Sequence, residues 1–191
     1  MTASQYIERI SELSFDEEFK KKLIRLPYRI GFWLSQSDQT GGDESDELEQ
    51  EALESVILSY GEDVCKSEFT QSVMEQTVAL YEEWDSWAEN IGDVPKECES
   101  IIYMLSTEVG PKSLSDFKTS LFEIAETVAL AYRELEEQET NFLDNIYMQI
   151  RIVQKKWDAF IKRYDFSLDH VLNISPSEEE ALRRLKGALR I

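Results

Sequence analysis

The sequence predicts an all-α protein: a compact bundle of seven to eight helices forming a single domain over residues 1–191. Apolar residues recur at three- and four-residue steps along most of the chain, and no stretch alternates apolar with polar for long. Seven glycines and four prolines leave little material for the many tight turns of a strand-rich fold. Apolar residues make up 42% of the 191, enough for a sizeable core.

The elements follow in order. Ser4 to about Ser11 reads as a short amphipathic helix carrying Tyr6, Ile7 and Ile10. Ser14, with Glu17 three residues on, reads as a capping box. The helix it opens carries Phe19, Leu23, Leu26, Ile30, Trp33 and Leu34 on one stripe, and Pro27, which lacks an amide donor, is expected to kink or restart it. Gly41-Gly42 marks the turn that follows. A second helix runs from the Asp43–Ser45 cap to about Tyr60, with Leu48, Ala52, Leu53, Val56 and Ile57 as its apolar face. A third is expected over 67–89, with Tyr81, Trp84 and Trp87 at three-residue steps on one face, suited to a core or to an exposed docking surface. Val94-Pro95 opens a fourth, and Ser113 or Ser115 caps a fifth containing Phe117, Leu121, Ile124, Val128 and Tyr132. Phe142, Ile146, Ile150, Val153, Trp157, Phe160 and Tyr164 predict one long amphipathic helix. Ser175-Pro176-Ser177-Glu178 signals the start of the last, whose inward face is Ala181, Leu182, Leu185, Ala188 and Leu189.

Charge excludes several partners. The chain has 39 acidic and 20 basic residues, a net charge of −19, which argues against nucleic acid and anionic membrane surfaces. No run approaches the ~20 apolar residues of a membrane span, and the N-terminus lacks the pattern of a secretory leader. Cys65 and Cys98 form no CxxC or CxxH pair, so free thiols in a reducing cytoplasm are expected. A single histidine, His170, excludes a three-histidine zinc centre and the paired Glu-x-x-His motif of ferritin-like bundles. No nucleophile elbow, phosphate loop or dinucleotide fingerprint is present, so no enzyme is expected.

The chemistry that remains is carboxylate chemistry at the first interhelical corner. Asp38, Asp43, Asp46, Glu47 and Glu51 crowd a glycine-containing turn and the helix start after it. A hard divalent cation, Ca²⁺ or Mg²⁺, takes several oxygen ligands, and this corner offers them from both sides of the turn. Acids in a first helical turn also serve as ordinary capping charge, so the corner suits a solvated face as well. The spacing does not match an EF-hand loop.

Two further patterns bear on organisation. Glu49–Val56 can be laid over Glu178–Leu185, and Ile30–Ser35 over Ile124–Ala129, with small residues four apart (Gly31 and Ser35, Ala125 and Ala129) in both. The two registers differ by about 35 residues, which predicts two weakly similar helical halves with a long inserted helix over 135–172. The run Leu26-Pro-Tyr-Arg-Ile-Gly-Phe-Trp-Leu-Ser-Gln-Ser-Asp38, then Gly41-Gly42-Asp43 and Glu49-Gln-Glu-Ala-Leu53, resembles the tellurite-resistance TerB family, and Ile174–Leu182 resembles that family's second half. Gln39 stands where the family places glycine, and Tyr132 stands near the second aspartate position, which argues against a second acidic site.

The resemblance implies an all-helical fold of two similar halves, an acidic cation-binding surface and a stress-response role through protein complexes. The leading expectation is therefore a non-enzymatic cytoplasmic scaffold. A protein partner is expected, including a homodimer formed through residues 142–164, where Lys155, Lys156, Lys162 and Arg163 place positive charge in an acidic chain. A metal-free helical interaction module is the alternative, and a metal-dependent hydrolase using the same acids a more distant one.

Overall fold

A computed structural model describes residues 9–37, 53–60, 65–134 and 176–191, and every regular element among them is helical. After a 3₁₀ turn at Ile10–Glu12 come α1 (Glu17–Ser35), α2 (53–59), α3 (Glu68–Ala79), a 3₁₀ turn at Tyr81–Glu83, α4 (Trp84–Ala88), α5 (Val94–Leu105), α6 (Pro111–Glu134) and α7 (Pro176–Leu189). These seven helices form the expected all-α bundle around one apolar core. None of the described helices is long and apolar enough to cross a membrane.

Local chemistry accounts for most boundaries. Ser67 caps α3 by accepting from the Thr70 amide at 3.2 Å, and Asp93 caps α5 by accepting from Lys96. α7 begins at Pro176 and buries Ala181, Leu182, Leu185 and Leu189, as its periodicity predicts. Four expectations are corrected. The cap of α1 is Asp16, whose Oδ1 accepts from the Phe19 amide at 2.8 Å, not Ser14; the Ser14 amide and hydroxyl both donate to the Glu108 carboxylate beyond α5. α1 runs unbroken through Pro27, a placement that costs about 3 kcal/mol in a helix interior. Leu23, Leu26, Tyr28, Ile30 and Leu34 are buried around it, and at roughly 1.5–3 kcal/mol per large side chain their burial outweighs that penalty.

The single helix expected over 67–89 is broken at Leu80 into α3, a 3₁₀ turn and α4. An unbroken helix would direct the Tyr81 amide to the Thr77 carbonyl. Here that carbonyl accepts instead from the Trp84 indole at 2.9 Å and from the Leu80 amide at 3.4 Å. Folding the chain back buries both Trp84 and Trp87 against Tyr28, with ring centroids 4.9 and 6.2 Å away, and leaves Tyr81 exposed. Lastly, α6 begins at Pro111 rather than at a serine cap, since proline suits a first helical position where no amide donor is needed.

α1 is the centre of the bundle, packing against α3, α4, α5, α6 and α7. Its close neighbours explain Gly31. A methyl group there would stand 2.1 Å from Leu53 Cδ1 of α2 and 3.4 Å from Val128 Cγ2 of α6. Burial also repeats in the register read from the sequence. Leu23, Tyr28, Ile30, Gly31, Leu34 and Ser35 are buried, and so, 94 positions on, are Phe117, Phe122, Ile124, Ala125, Val128 and Ala129. Leu53, Val56 and Tyr60 of the α2 segment likewise match Leu182, Leu185 and Leu189 of α7, which packs on α6. The inserted helix expected over 135–172 lies outside the described residues.

Gly31→Ala is expected to lower stability in urea unfolding even though alanine is the better helix former by about 1 kcal/mol, because overpacking a filled core costs about 1–3 kcal/mol. In a Leu53→Ala background the same change becomes stabilising. Equal effects in the two backgrounds would show that the two residues are not in conflict.

Candidate functional site

The predicted cation ligands Asp38, Asp43, Asp46, Glu47 and Glu51 lie outside the described residues. The structure does describe the frame on either side of them. α1 ends at Ser35, whose hydroxyl donates to the Phe32 carbonyl at 2.8 Å, and the Ser37 amide closes the last turn on the Leu34 carbonyl at 2.9 Å. The chain is picked up again at Leu53, buried against Gly31 in the same helix. Both ends of the acidic corner are thus anchored to α1.

Beyond Leu53, α2 leads to a buried polar cluster. The Tyr60 hydroxyl donates to Glu123 Oε2 of α6 at 3.0 Å, and Lys66, just before α3, brings its Nζ to 3.7 Å from Glu123 Oε1. Glu123 is 1% exposed, and Glu126 and Thr127 beside it on α6 are also buried. The Thr127 hydroxyl donates back to the Glu123 carbonyl at 2.7 Å. Cys65 Sγ donates to the Tyr60 carbonyl at 3.0 Å. A carboxylate in the core is tolerable only when it is paired and hydrogen-bonded, and here the partners come from α2 and the α3 approach. The cluster therefore pins the end of α2 to the middle of α6.

The electrostatics of this cluster favour inert, protonated groups. Burial, reinforced by the charge of Glu123 and the hydrogen bond to it, holds the Tyr60 phenol well above its usual range. Burial, with smaller contributions from Glu75 and Glu123, pushes the Cys65 thiol up to about 12. Burial does the same to the Cys98 thiol, which sits in the core. Both cysteines are free, as expected, and neither has the thiolate character of a nucleophile.

A second polar tie involves Arg29. Its guanidinium donates to Glu97 at 3.1 Å and to the Trp87 and Ile91 carbonyls at 2.8 and 2.6 Å. It clamps the α4–α5 connection, where Asn90 and Gly92 take positive φ values of 52° and 64°. Tyr60, Lys66, Glu123 and Arg29 were not among the predicted site residues. The available signal was Ser120, Glu123 and Thr127, a polar stripe at helical steps alongside the apolar stripe of α6.

Among the described residues no group of three or more His, Cys, Asp or Glu side chains is placed to hold a metal. His170 and the 142–164 stripe lie outside them. Fold and frame define an acidic all-helical bundle whose first interhelical corner is anchored at both ends. No protein-family model, curated protein or solved structure matches the chain.

Tyr60→Phe removes the hydroxyl donor from a buried carboxylate and is expected to lower stability by about 1–3 kcal/mol in urea unfolding. An unchanged midpoint would mean that the Tyr60–Glu123 bond does not hold α2. Alkaline pH provides a second check. Burial, with the charges of Asp85 and Glu54, raises the Tyr28 phenol from 10.0 to about 12, and Cys65 rises from 9.0 to about 12. The folded chain keeps protons that the unfolded chain releases, so stability is intact below about pH 9 and falls as pH rises towards 12. Tyrosinate absorbance should show a late-titrating fraction that disappears in denaturant; a native titration identical to the denatured one would contradict these assignments.

Proposed function

We propose that this chain is a non-enzymatic, TerB-like cytoplasmic scaffold of the tellurite-resistance and stress-response kind, in which a divalent cation held by the first interhelical corner orders a protein-docking surface. Asp38, Asp43, Asp46, Glu47 and Glu51 are its ligands. The observation that carries this reading is the seating of Leu53 on Gly31, which supports it by anchoring the acidic stretch to α1 at both ends. An anchored corner loses less conformational freedom when a cation gathers its carboxylates, so more of the coordination energy appears as affinity. The shared burial register of α1 with α6 and of α2 with α7 supports the two-halved arrangement that the resemblance implies. The Ca²⁺ or Mg²⁺ ion supplies positive charge among mutually repelling carboxylates.

Calorimetry of the full chain with Ca²⁺, Mg²⁺ and Mn²⁺ tests this. Saturable heat is expected with at least one ion, and Asp38→Asn with Asp43→Asn should abolish it while leaving the melting temperature of the metal-free protein unchanged. Heat that survives the double substitution would move the site elsewhere. No heat with any ion, together with partner binding retained in chelator, would favour the metal-free interaction module.

A further inference from the structure

Acidic residues outnumber basic ones 39 to 20, so a basic side chain without an acidic neighbour is unexpected here. Lys20, Arg29, Lys66, Arg183, Arg184 and Arg190 each lie within ion-pair distance of a carboxylate. Lys21, Lys22 and Arg25 have no carboxylate at that distance among the described residues. They lie three and four residues apart on one face of α1, with both lysines exposed.

The same face carries the opposite charge next to them. The Arg25 guanidinium lies over the Trp87 ring, 5.7 Å from its centroid. The indole Nε1 of Trp87 in turn donates to Glu83 Oε2 at 3.4 Å. Glu82 and Glu89, at either end of the segment holding Trp87, are exposed and have no base within ion-pair distance among the described residues. A cationic patch and an anionic patch therefore adjoin across Trp87 without neutralising each other by direct pairing.

We propose that this face is a contact between two copies of the chain, in which Lys21, Lys22 and Arg25 of each copy meet Glu82, Glu83 and Glu89 of the other. A two-fold contact is isologous: if one patch meets a second, the second also meets the first. Adjoining patches of opposite sign satisfy that rule. A uniformly acidic partner would set carboxylates against Glu82 and Glu89, and a uniformly basic one would set cations against Lys21 and Lys22. A second copy presents both signs in the reversed order. The net charge of −19 on each copy opposes approach at long range, but screening over about 8 Å at physiological salt leaves the close pairs to fix the register. The proposal does not depend on the cation reading, and it uses a surface other than residues 142–164.

Sedimentation equilibrium of the full chain tests it. A dimer is expected at tens of micromolar protein in about 0.15 M salt, shifting towards monomer at about 1 M. Lys21→Glu with Lys22→Glu, and separately Glu82→Lys with Glu89→Lys, should each weaken association by about tenfold or more, without changing the melting temperature, because all four side chains are exposed. An equimolar mixture of the two double variants should recover the dimer, since both halves of the mixed contact pair opposite charges. A monomeric parent chain, a dimer indifferent to both reversals, or a mixture that stays monomeric would each overturn the proposal. So would a dimer abolished only by neutralising Lys155, Lys156 and Lys162.

Discussion

The burial of α1 among five other helices is the constraint from which the rest of the architecture follows. A helix surrounded in this way needs small side chains where its neighbours come closest. Gly31 admits Leu53 on one side and Val128 on another, and the buried Ser35 sits one turn further along. Ala125 and Ala129 play the same part on α6. The apolar surface that this arrangement removes from water also explains how α1 carries Pro27 in its interior without breaking.

Polar groups then fix how the surrounding helices attach. The Thr77 hydroxyl lies 2.7 Å from the Ile24 carbonyl of α1 and 3.0 Å from Val73 of its own helix. Arg29 reaches outward from α1 to hold the turn between α4 and α5. Tyr60 and Glu123 join α2 to α6. Each of these bonds is made in or near the core, where an unmatched donor or acceptor would be destabilising, so they select one arrangement among the many that apolar packing alone would accept. The acidic corner hangs from this frame between Ser37 and Leu53. A scaffold that responds to a cation there needs that rigidity, because an ion bound by a freely deformable corner would reorganise the corner alone.

Much of the architecture was legible in the chain because it depends on neighbours close in sequence. The Val94-Pro95 start of α5 and the Ser175-Pro176 start of α7 are local signals, and both are used. The apolar stripes of α1 and α6 mark the faces that are buried. Errors arose where a distant group competed with a local rule. Ser14 looks like a cap, but Glu108 takes it and leaves Asp16 to cap α1. Residues 67–89 look continuous, but the Trp84 indole takes the carbonyl that the next turn needed. At the candidate site, composition and spacing drew attention to Asp38, Asp43, Asp46, Glu47 and Glu51. They carried no sign that Glu123, more than 70 positions away from them, would hold the end of the helix that follows the corner.

The sequence by itself determined that the chain is helical, strongly acidic and built with small residues where helices must meet, because periodicity, charge and side-chain size are properties of each residue and its near neighbours. Only the tertiary structure decided which helix stands at the centre, where the 67–89 stretch breaks, and which buried carboxylate finds a tyrosine. Those outcomes turn on bonds between residues dozens of positions apart, such as Tyr60 with Glu123 and Arg29 with Ile91. Their partners are brought together by the collapse of the apolar faces, and no local pattern records which of them will meet.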